Sequence, residues 1–356
     1  MEVAEIVAVA ESVHARPLQL DTVLRGSPRS TVLRCRDQDG TVVVKQFATT
    51  RTVANSGGYG FAREWAGLQT VAGAPQLLAT STEHALLVME DVGLSPTLAD
   101  LLLGIDPDTA RTATLEWART VGRTVAAGAE ASVRTRFADL ITERDPRTRS
   151  RGGPPSPELP RAAVDRLAGH GIVVPDSVAA ELSRLARLAA DEASCLSPGD
   201  FCPDNAVVRG DRVRLVDLEG AAVHHPALAA AYLVMPLSTC WCLADFGEGF
   251  TSLLWQEFRT AASALDQVWD SPTWTEDLQL ACASHVLAMT ELSLGGLVAG
   301  DIPLAPASGR QRLAARWRWA GEHLTTLPGI AELCRRALHH FGWPSELPLY
   351  PAFAET

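Results

Sequence analysis

Short runs of apolar and β-branched residues alternate with polar ones through the first 90 residues, and turn-forming residues separate these runs. This spacing predicts strands, the first three of which form an antiparallel meander. The predicted strands cover residues 18–24, 30–36, 41–47, 76–79 and 85–89. An amphipathic helix over 1–15 and a second helix near 61–71, which follows a Gly-rich link at 56–60, complete this part of the chain.

The rest of the chain changes to alanine and leucine at helical spacing, which predicts long helices over 108–133 and 176–193. Four or five further helices are predicted for 226–341. One β-rich hairpin interrupts the helices, with a strand on either side of the turn at Gly210 and Asp211. We therefore expect a chain of the α+β class whose second part is mostly helical.

Length and composition suit a globular protein with a large core. The 356 residues are 47% hydrophobic and 21% charged, which excludes disorder, collagen and small disulfide scaffolds. This length predicts two lobes that share a cleft. We place a small antiparallel-sheet lobe at residues 1–93 and a larger helical lobe at 94–356.

Charge and cysteine usage narrow the partners and the compartment. The net charge of −11 opposes binding to a phosphate backbone, so we expect no nucleic-acid partner. The N-terminus is acidic and no apolar run approaches the roughly 18 residues of a membrane span. The seven scattered cysteines are interpreted as reduced thiols, and the protein as cytoplasmic, without a membrane partner. The sequence leaves the oligomeric state open.

Lys45 is the only lysine among the 31 basic residues, and it lies in the β-branched run that predicts the third strand. Lysine offers a compact point charge on a thin stem, whereas arginine offers a wide planar fork. The helix predicted near 61–71 carries Glu64, which could pair with Lys45 and aim its ammonium at phosphate oxygens. A glutamate on a helix is by itself more typical of a solvated face.

Three polar residues converge on the predicted hairpin. Asp200 and Asn205 stand five apart in a Pro-containing loop, and the hairpin returns Asp217 close to Asn205. A few hard oxygen ligands with room for water and phosphate are what Mg²⁺ prefers, which suits Asn205 and Asp217. The remaining acid, Asp200, could accept a proton from a nucleophile. Local turn capping is the alternative interpretation of these residues.

The set of motifs resembles the aminoglycoside phosphotransferase family, within the protein-kinase-like superfamily of small-molecule kinases. The resemblance lies in the loop from Gly199 and Asp200 through Pro203 to Asn205, and in the Asp-x-Glu that begins at Asp217. It runs from about residue 20 to residue 233. It implies a two-lobed protein-kinase-like fold and an enzyme that moves the γ-phosphoryl group of ATP or GTP to a hydroxyl of a small molecule, with Mg²⁺ as cofactor and antibiotics among the acceptors.

The resemblance also implies roles for individual residues. Asp200 would be the catalytic base, and Asn205 and Asp217 would hold magnesium. The nucleotide would meet Lys45 at its α- and β-phosphates, Glu64 through Lys45, the Arg25–Ser30 turn with Ser27 over the phosphates, and the backbone of Glu90 and Val92 at the purine.

Two departures keep other functions open. Pro198 stands where the family usually has a histidine, and Ala229 and Ala230 lie where an aspartate is usual. A non-catalytic nucleotide-binding protein and a kinase of a primary metabolite are therefore the alternatives. The Arg-rich stretch 144–157 is predicted as an exposed connector, with a substrate lid as its alternative.

The acceptor class also remains open at this level. Seven of the nine tryptophans lie after residue 240 in the helical part, which fits either helix packing or an aromatic acceptor. Acidic residues of the same helices would instead suit a polycationic aminoglycoside. These tryptophans are Trp241, Trp255, Trp269, Trp274, Trp317, Trp319 and Trp343.

Overall fold

The computed structural model describes residues 1–48, 60–150, 158–189, 193–235 and 239–354. Three predicted segments fall partly outside this range, namely residues 56–59 of the Gly-rich link, residues 151–157 of the Arg-rich stretch and residues 190–192 of the helix predicted over 176–193. The described part of the Arg-rich stretch, residues 144–150, packs on the protein at Ser150. The backbone carbonyl of Ser150 accepts a hydrogen bond of 2.8 Å from the Val223 amide.

A five-stranded antiparallel sheet forms the N-terminal part, as the alternation of the sequence predicts. Its strands pair in the order β1-β2-β3-β5-β4. They are β1 (Gln19–Gly26), β2 (Ser30–Arg36), β3 (Thr41–Phe47), β4 (Leu77–Ser81) and β5 (Leu86–Glu90).

Two helices cover the two faces of this sheet. Helix α1 (Val3–His14) packs one apolar cluster against side chains such as Leu33 and Val44, whereas α2 (Gly60–Thr70) packs against Phe47 and Leu87. Successive strand residues point to opposite faces, so most residues on both faces of β3 become buried, whereas β1 is exposed along its length. Strand β3 lies in the middle of the sheet, between β2 and β5.

The C-terminal part is mainly helical, and together the two parts give the predicted two-lobed, kinase-like α+β fold. Its helices are α3 (Leu98–Leu102), α4 (Pro107–Gly128), α5 (Ala131–Arg144), α6 (Leu159–Gly169), α7 (Val178–Arg184), α8 (Ala227–Val234), α9 (Phe250–Ala261), α10 (Asp266–Trp269), α11 (Trp274–Ala299), α12 (Gly309–His323) and α13 (Pro328–Phe341).

The predicted helix over 108–133 is in fact two helices. At its break, Gly128 lies so close to a neighbouring strand that an added Cβ would be 1.9 Å from the Leu196 carbonyl oxygen. Helix α4 ends at Gly128, and α5 begins after an extended Glu130. The predicted helix over 176–193 is also shorter within the described residues, since α7 passes into a 3₁₀ segment at Leu185–Ala189. The described residues of 226–341 form six α-helices rather than four or five.

Four short strands frame the polar loop of the helical lobe. The predicted hairpin consists of β7 (Ala206–Arg209) and β8 (Arg212–Leu215). A second pair, β6 (Cys195–Ser197) with β9 (Ala222–His224), was not predicted, because a strand of three residues is too short to show a period. Strand β6 leads into Asp200, and β9 follows the segment that carries Asp217.

The expectation that no apolar run approaches the length of a membrane span is wrong for helix α11. It is long and apolar enough to cross a membrane, by length and composition, but 61% of its most apolar window is buried inside the protein. It packs against α6, α8 and α12, so its residues are covered on several sides. One such helix is weak evidence for a membrane span, because a buried core helix passes the same test.

Candidate active site

Lys45 lies near the middle of the five-stranded sheet and is surrounded by carboxylates. Its side chain is 6% exposed. Its Nζ donates hydrogen bonds to Glu64 of α2 and, at 2.6 Å, to Oδ1 of Asp217. Oε2 of Glu219 lies 3.6 Å away. The structure therefore brings the predicted Lys45–Glu64 pair together and adds two acids from the other lobe.

Glu64 reaches this position because α2 packs closely on the segment after β8. A Cβ added to Gly67 would lie 3.1 Å from the Cβ atoms of both Leu218 and Ala221, so a glycine permits this approach. Glu64 itself is only 1% exposed. A buried carboxylate needs a charged or hydrogen-bonding partner, which Lys45 supplies.

Asp217 adopts a backbone conformation that residues other than glycine rarely occupy. Its φ is +61°, in the left-handed region. Such a conformation costs about 1 kcal/mol and persists where the surrounding structure enforces it, often at functional sites. Carboxylate oxygens of Glu64, Asp217 and Glu219 all lie within 4.8 Å of one another, so this group could hold a cation. Glu219 is the glutamate of the Asp-x-Glu motif, but it was not among the metal ligands predicted from the sequence.

The β1–β2 turn lies over these acids. Arg25 approaches Oδ2 of Asp217 at 3.9 Å, and Arg29 pairs with Oε1 of Glu219 at 3.1 Å. Within the turn, Oγ of Ser27 accepts hydrogen bonds from the amides of Arg29 and Ser30, so it shapes the turn. Two guanidinium groups here are suited to phosphate oxygens. The turn was predicted from the sequence to cover the phosphates, but no role was predicted for its two arginines.

Lys45 and the carboxylates around it shift one another's pKa values. Burial lowers the pKa of the Lys45 ammonium, but the carboxylates of Asp217, Glu64 and Glu219 outweigh it and raise that pKa well above its usual value. Burial likewise opposes ionisation of Asp217, yet Lys45 and the two arginines of the turn bring its pKa below the usual value. Burial raises the pKa of Glu64 in spite of Lys45. Lys45 therefore stays charged at all physiological pH values.

Asp200 follows β6 and is held by three donors on one oxygen. Its Oδ1 accepts hydrogen bonds from the Cys202 amide at 3.0 Å, the Tyr232 hydroxyl at 3.2 Å and the Thr239 hydroxyl at 3.5 Å. Burial raises the pKa of Asp200 to about 6, against the opposing Cys202 hydrogen bond. The carboxylate is therefore mostly ionised at neutral pH, as a base must be. Tyr232 and Thr239 were not predicted, because no motif marks them.

Asn205 lies at the end of the 3₁₀ turn Pro203–Asn205 and is 8% exposed. Its carbonyl accepts a hydrogen bond of 2.9 Å from the amide of Val216, the residue before Asp217. The hairpin thus returns the chain to Asn205, as predicted from the sequence. Two of the predicted oxygen ligands consequently lie on adjoining segments.

A disulfide between Cys202 and Cys240 joins the Asp200 loop to the segment after α8, with 5.4 Å between the Cα atoms. The interpretation of all seven cysteines as reduced thiols is therefore wrong for this pair. The fold brings together two residues 38 positions apart, within the distance that a disulfide spans. The five others are free and buried, namely Cys35, Cys195, Cys242, Cys282 and Cys334.

The segment after β5 links the two lobes at the predicted purine position. The Glu90 amide donates to the Gln76 carbonyl at 2.8 Å, and its carboxylate pairs with Arg214 at 2.9 Å. The Glu90 amide therefore already donates its proton to a backbone carbonyl of this lobe. Val92 follows the strand end and is half-buried.

Most tryptophans of the helical lobe pack against each other. Trp269 and Trp274 have ring centroids 4.7 Å apart, and Trp255 stacks on Trp274. Trp241 differs, because it is 41% exposed and its Nε1 donates to Oδ2 of Asp204 at 2.8 Å. Helix packing thus explains the cluster, while Trp241 lies beside the loop that carries Asp200.

Two buried histidines near this loop predict acid sensitivity. Burial lowers the pKa of His224 and of His285, whose ring contacts Tyr232, to about 4 from 6.5. The unfolded chain therefore binds more protons than the folded one between these values. The stabilisation is fully present above pH 6.5 and is lost as the pH falls through about 4, by about 3 kcal/mol per histidine.

Urea unfolding at constant ionic strength, from about pH 7 to about pH 4.5, measures this loss. We expect the unfolding midpoint to fall steeply over that range. A midpoint that stays flat down to about pH 5 would contradict the buried, neutral state of both rings.

The chain matches no family model and no curated protein, but it is similar in fold to solved structures. Among solved structures, a putative aminoglycoside phosphotransferase from Ralstonia eutropha JMP134 is 14% identical with a TM-score of 0.54, covering 94% of this chain and 98% of that one.

Two further solved structures match over similar lengths. A spectinomycin phosphotransferase, crystallised with ADP and spectinomycin, is 10% identical with a TM-score of 0.53 and covers 96% of this chain and 99% of that one. An amicoumacin kinase in complex with AMP-PNP, Ca²⁺ and a molecule abbreviated Ami is 14% identical with a TM-score of 0.52, covering 90% of this chain and 93% of that one. The chain therefore has the two-lobed fold that these antibiotic phosphotransferases and small-molecule kinases share.

Proposed function

We propose that the protein is a phosphotransferase that moves the γ-phosphoryl group of ATP or GTP to a hydroxyl of a small molecule. The observation that carries this proposal is the group around Lys45, where a buried lysine is held by Glu64 and Asp217 beneath a turn with two arginines. Such an arrangement is suited to the positioning and charge neutralisation that phosphoryl transfer needs.

Residues 1–93 are the proposed nucleotide-binding lobe, and residues 94–356 the lobe that holds the catalytic loop and the acceptor. Lys45 would contact the α- and β-phosphates, and the Arg25–Ser30 turn with Ser27 would cover them. The backbone near Glu90 and Val92 would meet the purine. The nucleotides in two of the solved structures support this assignment.

The oxygen donors beside Lys45 fit a hard divalent cation. Asp217 and Asn205 are the proposed ligands of Mg²⁺, and Glu219 lies close enough to Asp217 to join them. Carboxylate and amide oxygens, few in number, leave room for the waters and phosphates that Mg²⁺ keeps. When bound, the metal would neutralise charge on the phosphate groups.

Asp200 is the proposed base. Its carboxylate would orient the acceptor hydroxyl in line with the γ-phosphorus and accept the hydroxyl proton. The new bond joins the acceptor oxygen to the γ-phosphorus, and the bond between that phosphorus and the β–γ bridging oxygen breaks, which releases the nucleoside diphosphate. Tyr232 and Thr239 keep Oδ1 fixed during this step.

An antibiotic is the proposed acceptor, and the substrates named for two of the solved structures support this class. The exposed ring of Trp241 beside the catalytic loop could receive an aromatic or apolar face of such a molecule. The cytoplasm, where ATP and GTP are abundant, is the proposed compartment.

Mass spectrometry of reaction mixtures tests the proposal directly. The purified protein is incubated with Mg²⁺ and either ATP or GTP against aminoglycosides, nucleoside antibiotics, macrolides and common hydroxyl metabolites. A gain of about 80 Da on one acceptor, absent with the Asp200→Asn variant, is the expected result. No product from any acceptor, together with no Mg-nucleotide binding in calorimetry, would mean that the chain shares only the fold.

A further inference from the structure

Ser197 and His224 form a buried hydrogen-bonded pair next to the Asp200 loop. Ser197 ends β6 and His224 ends β9. In the antiparallel register Ser197 pairs with Ala222 and His224 with Cys195, so the side chains of Ser197 and His224 lie on the same face and meet diagonally across the two strands. Ser197 Oγ lies 2.6 Å from Nε2 of His224. On its other side, Ser197 Oγ accepts a hydrogen bond of 3.1 Å from the amide of Gly199.

The hydrogen bonds fix which atom donates at each step. Nδ1 of His224 lies 2.9 Å from the carbonyl oxygen of His225, which can only accept. Nδ1 therefore carries the proton, and Nε2 accepts from the hydroxyl of Ser197. One chain of donors thus runs from the Gly199 amide through Ser197 and His224 to the strand backbone.

This pair cannot act on a substrate itself. Ser197 is fully buried and His224 is 2% exposed, so neither side chain reaches an acceptor or a nucleotide. Burial lowers the pKa of His224 to about 4, which keeps the ring neutral and its Nε2 available as an acceptor. Any contribution to chemistry must pass through the loop that the pair touches.

The loop needs such an anchor at this place. Gly199 has a φ of +79°, so the chain reverses sharply between Ser197 and Asp200. The intervening Pro198 has no amide proton to donate. The Gly199 amide is thus the last backbone donor before Asp200, and Ser197 Oγ is its acceptor.

We propose that Ser197 and His224 are positioning residues that hold the Gly199 turn and thereby aim the Asp200 carboxylate. The proposal rests on the proposed function, because it assigns Asp200 as the base. Without the Ser197 hydroxyl, the Gly199 amide loses its acceptor, and Asp200 can shift relative to the γ-phosphate. A misplacement of about 1 Å at a reacting group costs about 100-fold in rate.

Kinetics of Mg-ATP turnover, with water as the acceptor, provide the first test. We expect Ser197→Ala and His224→Leu each to lower kcat about 10- to 100-fold, with the KM for ATP changed by less than about twofold. The double variant should be no slower than about the worse single one, since both remove the same anchor. Ser197→Thr and His224→Gln, which keep a hydroxyl and an acceptor, should recover most of kcat.

Thr290→Val is the matched control. Thr290 is fully buried, donates to the Val286 carbonyl at 2.9 Å and accepts from Nε1 of Trp317 at 2.9 Å. Its substitution removes a comparable buried hydroxyl within the helical core. We expect a lower unfolding midpoint for this variant but an unchanged kcat.

Amide hydrogen exchange of the peptide 196–205 provides a second test that needs no turnover. Exchange should be at least about tenfold faster in Ser197→Ala than in the wild type, and unchanged in Thr290→Val. Equal exchange in Ser197→Ala and the wild type would overturn the anchor.

The two tests separate the failure of this proposal from that of the proposed function. If Asp200→Asn abolishes turnover but Ser197→Ala retains the full kcat, the positioning role is wrong and the phosphotransferase stands. If the wild type transfers phosphate neither to water nor to any acceptor of the mass screen, the phosphotransferase is wrong, and the exchange result alone decides whether Ser197 anchors the loop.

Discussion

Replacing Asp200 by asparagine should lower the rate of phosphoryl transfer about 1,000-fold or more while leaving the affinity for Mg-ADP within about threefold. The amide keeps the size of the side chain and an oxygen to accept from Tyr232 and Thr239. It cannot take the hydroxyl proton at neutral pH. The chemical step is thereby removed, whereas the proposed nucleotide site beside Lys45 is retained.

Single-turnover measurements with the acceptor that the mass screen identifies report the chemical step, and calorimetry reports Mg-ADP binding. Asp39→Asn is the matched control, since Asp39 lies on the exposed β2–β3 turn of the other lobe. It should behave as the wild type in both assays. If Asp200→Asn retained the wild-type rate, Asp200 would not be the base, and a different group would have to receive the proton.

Local sequence patterns predicted the parts of the fold that repeat with a fixed period. The alternation in β3 and the helical spacing near Glu64 gave the elements that bring Lys45 and Glu64 together, although 19 positions separate them. The hairpin strands on either side of Gly210 were found in the same way. In each case several consecutive residues carry the same signal.

Contacts between distant segments carry no such signal. Tyr232 and Thr239 reach Asp200 from 32 and 39 positions away, and only the packing of α8 brings them there. The β6–β9 pair, which places His224 beside Ser197, consists of three-residue strands. The predicted hairpin brought Asp217 close to Asn205, but the contact between Asp217 and Lys45 was not predicted, since nothing periodic links these residues over 172 positions.

Replacing Lys45 by methionine should lower both stability and activity. Three carboxylates, of Glu64, Asp217 and Glu219, surround the ammonium. Removal of a buried charge leaves its partners uncompensated and costs about 3 to 5 kcal/mol of folding free energy. It also removes the cation that would meet the phosphates, so we expect phosphoryl transfer to fall about 100-fold or more.

Lys45→Arg separates the effect of charge from that of shape. Arginine keeps the positive charge, but its planar fork is wider than an ammonium, and the Lys45 side chain is only 6% exposed. We therefore expect Lys45→Arg to recover part of the stability that Lys45→Met loses, without recovering phosphoryl transfer. Urea unfolding of both variants and single-turnover rates measure the two effects separately.

These outcomes distinguish a structural from a chemical role of Lys45. If both variants lost stability but kept the wild-type rate and nucleotide affinity, the lysine would serve only to neutralise Glu64 and Asp217. If Lys45→Met were as stable as the wild type, its carboxylates would have to be neutralised by protonation or by Arg25 and Arg29. A loss of rate that arginine does not restore would show that phosphoryl transfer needs the compact ammonium at this position, which the single lysine of the chain supplies.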